Sequence, residues 1–217
     1  MKAEFLPIIV ALASASAAQA HEPWSPVLGV RAGMEVSMPA GARNMYKTGA
    51  GFNVGLTVRM PLARHFFFEP GAYFDFMSMT AKDLISFDEE YFYEGAANLY
   101  SLRLPMNFGY SLSLDDNWVL DISTGPAVNF NISARQNLDP NFGAPEIVPD
   151  RTIDLFDHGW KRVDVKWGFG ISATFAEHYM IGLTADIAVS PLASFDTTSG
   201  KIRIHRNSVA LMLGYNF

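Results

Sequence analysis

The chain has 217 residues, 49 % of them hydrophobic and 13 % aromatic, with a net charge of −6 and no cysteine. That length suffices for one domain with a sizeable core. The missing thiols exclude a disulfide scaffold, a thiolate metal site and a cysteine nucleophile, and the acidic balance argues against nucleic acid as a partner.

The amino terminus reads as a secretory signal. Lys2 supplies a positive start, residues 5–13 are apolar, and Ala18-Gln19-Ala20 is a small-residue cleavage site. Residues 1–20 are therefore expected to be removed, leaving 21–217 as one domain that begins at His21. Beyond Ala20 no stretch approaches the ~20 apolar residues that a membrane helix needs. An exported chain of this kind can span a membrane only as a closed barrel.

Alternation of period two then recurs along the chain, the mark of strands. In the first strand Leu28, Val30, Ala32, Met34, Val36 and Met38 oppose Gly29, Arg31, Gly33, Glu35 and Ser37. In the second, Phe52, Val54, Leu56, Val58 and Met60 oppose Asn53, Gly55, Thr57 and Arg59, and residues 61–65 form a tight turn. The third sets Phe66, Phe68, Pro70, Ala72, Phe74 and Phe76 against Glu69, Gly71, Tyr73 and Asp75. Pro70 offers no ladder donor and predicts a bulge or ladder irregularity. Residues 80–97 are a long connection with Asp88, Glu89, Glu90 and Glu94 beside Tyr91, Phe92 and Tyr93.

The fourth strand sets Tyr100, Leu102, Leu104, Met106, Phe108 and Tyr110 against Ser101, Arg103, Pro105, Asn107 and Gly109, before a short turn at 113–117. The fifth sets Trp118, Leu120, Ile122, Val128 and Phe130 against Asp121, Ser123, Gly125, Asn129 and Asn131. Residues 134–161 form the longest connection, with room for a short helix or a hairpin. The sixth strand sets Val163, Val165, Trp167, Phe169 and Ile171 against Asp164, Lys166, Gly168 and Gly170, and turns at Ala176-Glu177-His178. The seventh sets Tyr179, Ile181, Leu183 and Ile187 against Gly182, Thr184 and Asp186, with a polar loop at 191–201. The last sets Val209, Leu211, Leu213, Tyr215 and Phe217 against Ser208, Ala210, Met212, Gly214 and Asn216.

The connections alternate long and short, the rhythm of an even-stranded antiparallel barrel with short periplasmic turns and longer outer loops. The apolar face carries no charge across the central part of the strands. Arg203 and His205 share its parity only at the loop end of the last strand. A Lys or Arg at the bilayer midplane would cost ~2–4 kcal/mol. The polar face holds Arg31, Glu35, Arg59, Glu69, Asp75, Arg103, Asp121, Asp164, Lys166, Asp186 and Arg206, with the two signs nearly balanced. The interior of an eight-stranded barrel is just wide enough for side chains to fill. Buried charges must pair, so these residues are expected to form a structural lumen network. The expected fold is all-β: an eight-stranded antiparallel up-and-down transmembrane β-barrel with a plugged polar lumen.

The rival is a water-soluble β-sandwich or lipocalin-like barrel, whose apolar face points inward. Aromatics near strand ends favour the membrane, as does a charged face rich in Gly and poor in Lys and Thr. The closing Tyr215 and Phe217 add to this, since they resemble the carboxyl-terminal assembly signal of bacterial outer-membrane barrels.

Phe68-Glu-Pro-Gly-Ala-Tyr73, Leu102-Arg-Leu-Pro-Met-Asn-Phe-Gly-Tyr110 and the Leu213-Gly-Tyr-Asn-Phe217 ending resemble segments of PorT-like outer-membrane barrel proteins of Bacteroidota. The resemblance implies a small barrel of OmpA/OmpX-like architecture in the outer membrane of a Gram-negative bacterium. It implies no catalytic residues, and some members are implicated in secretion machinery. The partners expected of such a barrel are the outer-membrane bilayer with its lipopolysaccharide and the barrel-assembly machinery; the long loops have room for a protein partner that the sequence does not identify.

Enzymatic barrels of this size need a His beside a Ser or carboxylate at the outer rim. His65 and His178 fall in periplasmic turns, and His158 falls in a loop. His205, with Asp196 and Ser199 near it in sequence, is the one candidate dyad. An interfacial His is the plainer reading. The acidic run at Asp88 to Glu94 has calcium-binding composition, but a solvated loop accounts for it, so no cofactor or metal is expected. The favoured role is structural, surface-interacting or partner-docking through the long loops. The alternatives are a narrow transport or secretion-accessory barrel and, behind it, a lipid-modifying enzyme.

Overall fold

The computed structural model describes residues 25–41, 46–80, 93–140, 151–197 and 200–217. The expected signal segment, 1–20, lies outside them, as does the acidic run from Asp88 to Glu90.

Eight long strands form a closed ring: β1 (Val27–Ala40), β2 (Gly49–Pro61), β3 (Phe66–Thr80), β4 (Ala96–Ser113), β5 (Trp118–Pro140), β6 (Val163–Phe175), β7 (Tyr179–Ala188) and β8 (Gly200–Asn216). Each pairs antiparallel with its neighbours in sequence. The ring closes where β1 meets β8, from Gly29 opposite Asn216 to Ala40 opposite His205. Closure removes both sheet edges, the condition for a sheet to cross hydrocarbon. No helix among the described residues is long and apolar enough to cross a membrane.

The faces follow the alternation. Met34 is 77 % exposed, and Phe52, Phe108, Ile122, Phe169, Leu183 and Leu211 are exposed beside it, while Arg31, Asp75, Arg103, Asp121, Lys166 and Arg206 are buried. An apolar belt of this size on a water-soluble monomer would be an aggregation surface. In a bilayer it is the solvated face.

The short turns cluster at one end. In the β2–β3 turn the Leu62 amide donates to the Phe66 carbonyl at 2.9 Å. In the β4–β5 turn Asp115 Oδ1 accepts from the Asn117 and Trp118 amides, each at 2.8 Å. The three-residue β6–β7 connection places Ala176 and Glu177 at φ 48° and 64°, and the His178 amide donates to the Phe175 carbonyl at 3.1 Å, closing a turn with positive φ at both central residues.

The ladder irregularity expected at Pro70 is present, and a bulge that the alternation does not predict lies on β5. Pairing lapses between Pro70–Met106 and Tyr73–Arg103, but the register is unchanged across the gap. Pro70 interrupts the ladder without bulging it. The register shift falls instead on β5, where Tyr100 pairs with Ser133 and Ser101 with Asn131. Ile132 is the extra residue, and beyond it the inward parity passes to Ala134 and Gln136.

The strands also outrun their expected ends. β5 continues to Pro140 and pairs with the short strands Arg151–Asp154 and Tyr93–Glu94. A 3-10 turn, Leu155–His158, follows, capped by the Asp154 side chain and ended by Gly159 at φ 83°. The 134–161 connection therefore holds both strand pairing and a helical turn. Ala193–Thr197 likewise pairs with the start of β8.

Candidate functional site: a closed interior

The interior is stacked in three levels. Nearest the short turns, Arg59 bridges Glu69 at 3.0 Å and Asp121 at 2.7 Å. Asp121 also accepts from Ser111 at 2.7 Å, and the Arg59 guanidinium lies 4.0 Å from the centre of the Phe67 ring. Arg31 reaches Glu69 at 3.8 Å and donates to Asn216 Oδ1 at 2.7 Å. Its length is accommodated by Gly214, where a Cβ would stand 2.5 Å from Arg31 Cδ.

The second level centres on Arg103. Its Nη1 donates to Asp186 at 2.8 Å, and its Nε lies 3.1 Å from Asp75, an ionic contact without hydrogen-bond alignment. Arg103 also lies 4.8 Å from the centre of the Tyr73 ring. Lys166 donates to Ser208 at 3.2 Å. Asp164 accepts from Asn129 at 2.7 Å and from Asn131 at 2.9 Å. Glu35 and Arg206 are buried at the same level. All eleven charged positions on the polar face thus point inward. The direct ion pairs run through Arg31, Arg59 and Arg103, whereas Lys166 and Asp164 are held by hydroxyl and amide groups.

The third level is apolar. Met77, Met79, Ala97, Leu99 and Ile204 continue the inward parity of their strands, and Ala134 joins them through the parity switch at Ile132. They pack with Tyr46, Leu155, Trp160, Leu192 and Ala193 into one buried cluster. Tyr46 stacks edge-on to Trp160 at 5.9 Å and donates to Gln136 at 3.4 Å. Burial pushes the Tyr46 phenol up to about 12. The expected strands stop at Phe76 and start at Tyr100, and the expected connections take in Ala97 and Ala134, so the cap is not part of the sequence reading. The available signal was the persistence of alternation past Phe76 and before Tyr100.

Aromatic pairs mark both ends of the belt. Phe66 meets Tyr110 at 5.0 Å, Trp118 meets Phe175 at 4.9 Å, and Tyr215 meets Tyr179 at 5.5 Å and Phe217 at 5.3 Å near the turns. Phe76 meets Phe52 at 5.4 Å and Tyr100 at 4.9 Å toward the other end. His178 stacks on Tyr215 at 5.3 Å. His205 sits opposite Ala40 on the seam. Ser199 and the Asp196 side chain lie outside the described residues. Among the described residues no cluster of His, Asp and Glu is arranged for a metal.

A closed antiparallel ring with charges inside and an aromatic-edged apolar belt outside defines a small outer-membrane β-barrel. The chain matches the family described as outer membrane protein beta-barrel domain over residues 18–194, most of its length, and belongs to that family. Membership places it in the outer membrane of a Gram-negative bacterium. No curated protein sequence matches it. Among solved structures it is similar to Ail of Yersinia pestis, at 12 % identity over 89 % of this chain and 99 % of that one, TM-score 0.44. It is also similar to Neisserial surface protein A, at 10 % identity over 88 % and 97 %, TM-score 0.46. The outer membrane protein OprG of Pseudomonas aeruginosa is similar at 12 % identity over 89 % and 97 %, TM-score 0.47.

Proposed function

We propose that this barrel is a non-conducting, non-enzymatic envelope protein that works through the structure it raises above the membrane, as an anchor or docking platform for a partner. The observation that supports it most is the double closure of the interior. An ion-paired level around Arg103 lies beneath an apolar level around Trp160. Such an interior favours rigidity over passage. The same strands that close it, β4, β5 and β8, carry the long connections outward.

Planar-bilayer recording of the refolded barrel tests the reading. No steady large current is expected, and a stable open conductance would transfer the function to transport. Lipid A analysis of a deletion strain tests enzymatic activity. An altered profile restored by wild type but not by His205→Ala would establish it.

Within the family we place the chain beside PorT-like proteins of Bacteroidota, on the segments at 68–73, 102–110 and 213–217. Removal of residues 1–20, recognition of Tyr215 and Phe217 by the assembly machinery, and contact with lipopolysaccharide belong to the same proposal.

A further inference from the structure

The outer wall is not evenly convex. A furrow of about 650 Å³ crosses it, lined almost wholly by apolar surface. Cross-strand register explains its floor. Phe67 pairs with Gly109, Gly109 with Ser123, Ser123 with Gly170, and Gly170 with Thr184. The backbone of this row is the floor, because each of these side chains points inward or is absent. One bank is the outward row Phe66, Tyr110, Ile122, Ile171 and Leu183. The other is Phe108, Thr124, Phe169, Ala185 and Val209, where the small Thr124 and Ala185 leave the depression between larger neighbours.

The furrow runs across the strands. Strands in such barrels tilt by ~35–45°, so a row perpendicular to them climbs obliquely through the membrane. It begins at Phe66, the first residue of β3 beside the short turns, and ends at Val209, well inside the belt. The short-turn end is the periplasmic one. An object lying in the furrow would therefore start at the periplasmic headgroup layer and end among acyl tails.

A second hollow of about 450 Å³ sits at that lower end and shares Phe66 and Phe67 with the furrow. Arg59, Arg64, His65 and Ser111 line it. Arg59 is committed to Glu69 and Asp121. Arg64 is exposed, with no acidic partner within ion-pair distance among the described residues. The other two short turns carry Asp115 and Asp116, and Glu177. The basic turn is the one at the mouth of the furrow.

We infer that this wall holds an anionic glycerophospholipid of the periplasmic leaflet. One acyl chain lies along the furrow from Phe66 toward Val209, and its phosphate rests on Arg64 and His65. A furrow without the basic turn would be filled by any lipid. The turn makes the site selective for a net negative headgroup, and its periplasmic position sets it apart from lipopolysaccharide at the opposite end.

The test uses the full mature barrel. Its heat-modifiable gel mobility after refolding into phosphatidylcholine vesicles is checked first, and failure there would count against the membrane fold itself. Native mass spectrometry then follows from neutral detergent with equal phosphatidylglycerol and phosphatidylcholine. The expected result is one retained phosphatidylglycerol per barrel, preferred about tenfold. Arg64→Glu, on an exposed turn, should bring the ratio to about one. Ala185→Leu, which fills the furrow from the lipid side, should lower retention of both lipids. Equal retention by the wild type, or a preference unchanged in Arg64→Glu, would overturn the site. So would undiminished retention in Ala185→Leu.

Discussion

Arg31 on the first strand donates to the Asn216 side chain at 2.7 Å and to the Tyr215 carbonyl at 3.2 Å on the last. The end of β8 is held from its other side as well. The Asn216 amide donates to the His178 carbonyl at 2.8 Å, and its side chain donates to the Glu177 carbonyl at 3.1 Å. The Phe217 amide donates to the Leu28 carbonyl at 2.9 Å. The closing strand is thus clamped between the first strand and the last short turn, and a buried guanidinium forms one jaw.

Arg31→Met should therefore weaken the seam. Hydrogen bonds to a charged group contribute ~1.5–3 kcal/mol, and a loss of that size is expected in urea unfolding from lipid vesicles. An unchanged midpoint would mean the seam is held by its backbone ladder alone.

Deleting Phe217 removes the Leu28 contact and one ring from the Tyr179–Tyr215–Phe217 group. Reduced outer-membrane levels and loss of the heat-modifiable band are expected in membrane fractions. Normal levels would show that assembly does not read this residue.

Arg103 is the common partner of Asp75 and Asp186. Arg103→Met strands two buried carboxylates, and breaking a buried pair costs ~3–5 kcal/mol. The triple variant Arg103→Met, Asp75→Asn, Asp186→Asn should recover most of that loss. If it unfolds as readily as the single variant, the charge-pairing account of the second level fails.

Met34→Arg tests which solvent the outer face meets. At mid-bilayer the substitution should cost ~2–4 kcal/mol, against ~0–1 kcal/mol for Leu114→Arg in a short turn. Equal effects of the two, measured in the same vesicles, would contradict immersion of the belt.

The Tyr46 phenol, raised by burial from 10.0 to about 12, gives the cap an alkaline limit. The folded value lies above the unfolded one. The contribution is complete below pH 10.0 and is lost as pH rises through the folded value. The protection of the Ala134 and Gln136 amides, taken relative to the base-catalysed rate of an open chain, should fall across that window in the wild type and hold steady in Tyr46→Phe.

Much of the ring was readable from residues 28–60, where alternation is unbroken and nothing competes with it. The inward charges were readable for the same reason, because parity alone places Arg31, Asp75 and Lys166. Their pairing was not, since partners such as Arg103 and Asp186 stand 83 positions apart in sequence. The cap escaped notice for two physical reasons. Its inward residues, such as Met79 and Leu99, are apolar where the lumen below is charged, so the apolar/polar alternation that marks the strands fades there. The extra residue Ile132 also switches which parity faces inward, and a period-two reading carried through it assigns Ala134 to the wrong side.

The apolar cap above the ionised levels gives the molecule a waterline. Below it, Ile132, Leu211 and Met34 face outward into oil; above it, Arg135, Lys201 and Arg203 face outward while Met79 and Ile204 turn in. A single strand such as β8 obeys membrane rules over one stretch and aqueous rules over the next. A leucine welcome at 211 would be a sticky blemish at 201, and the depth at which the barrel floats is inscribed where the two grammars meet.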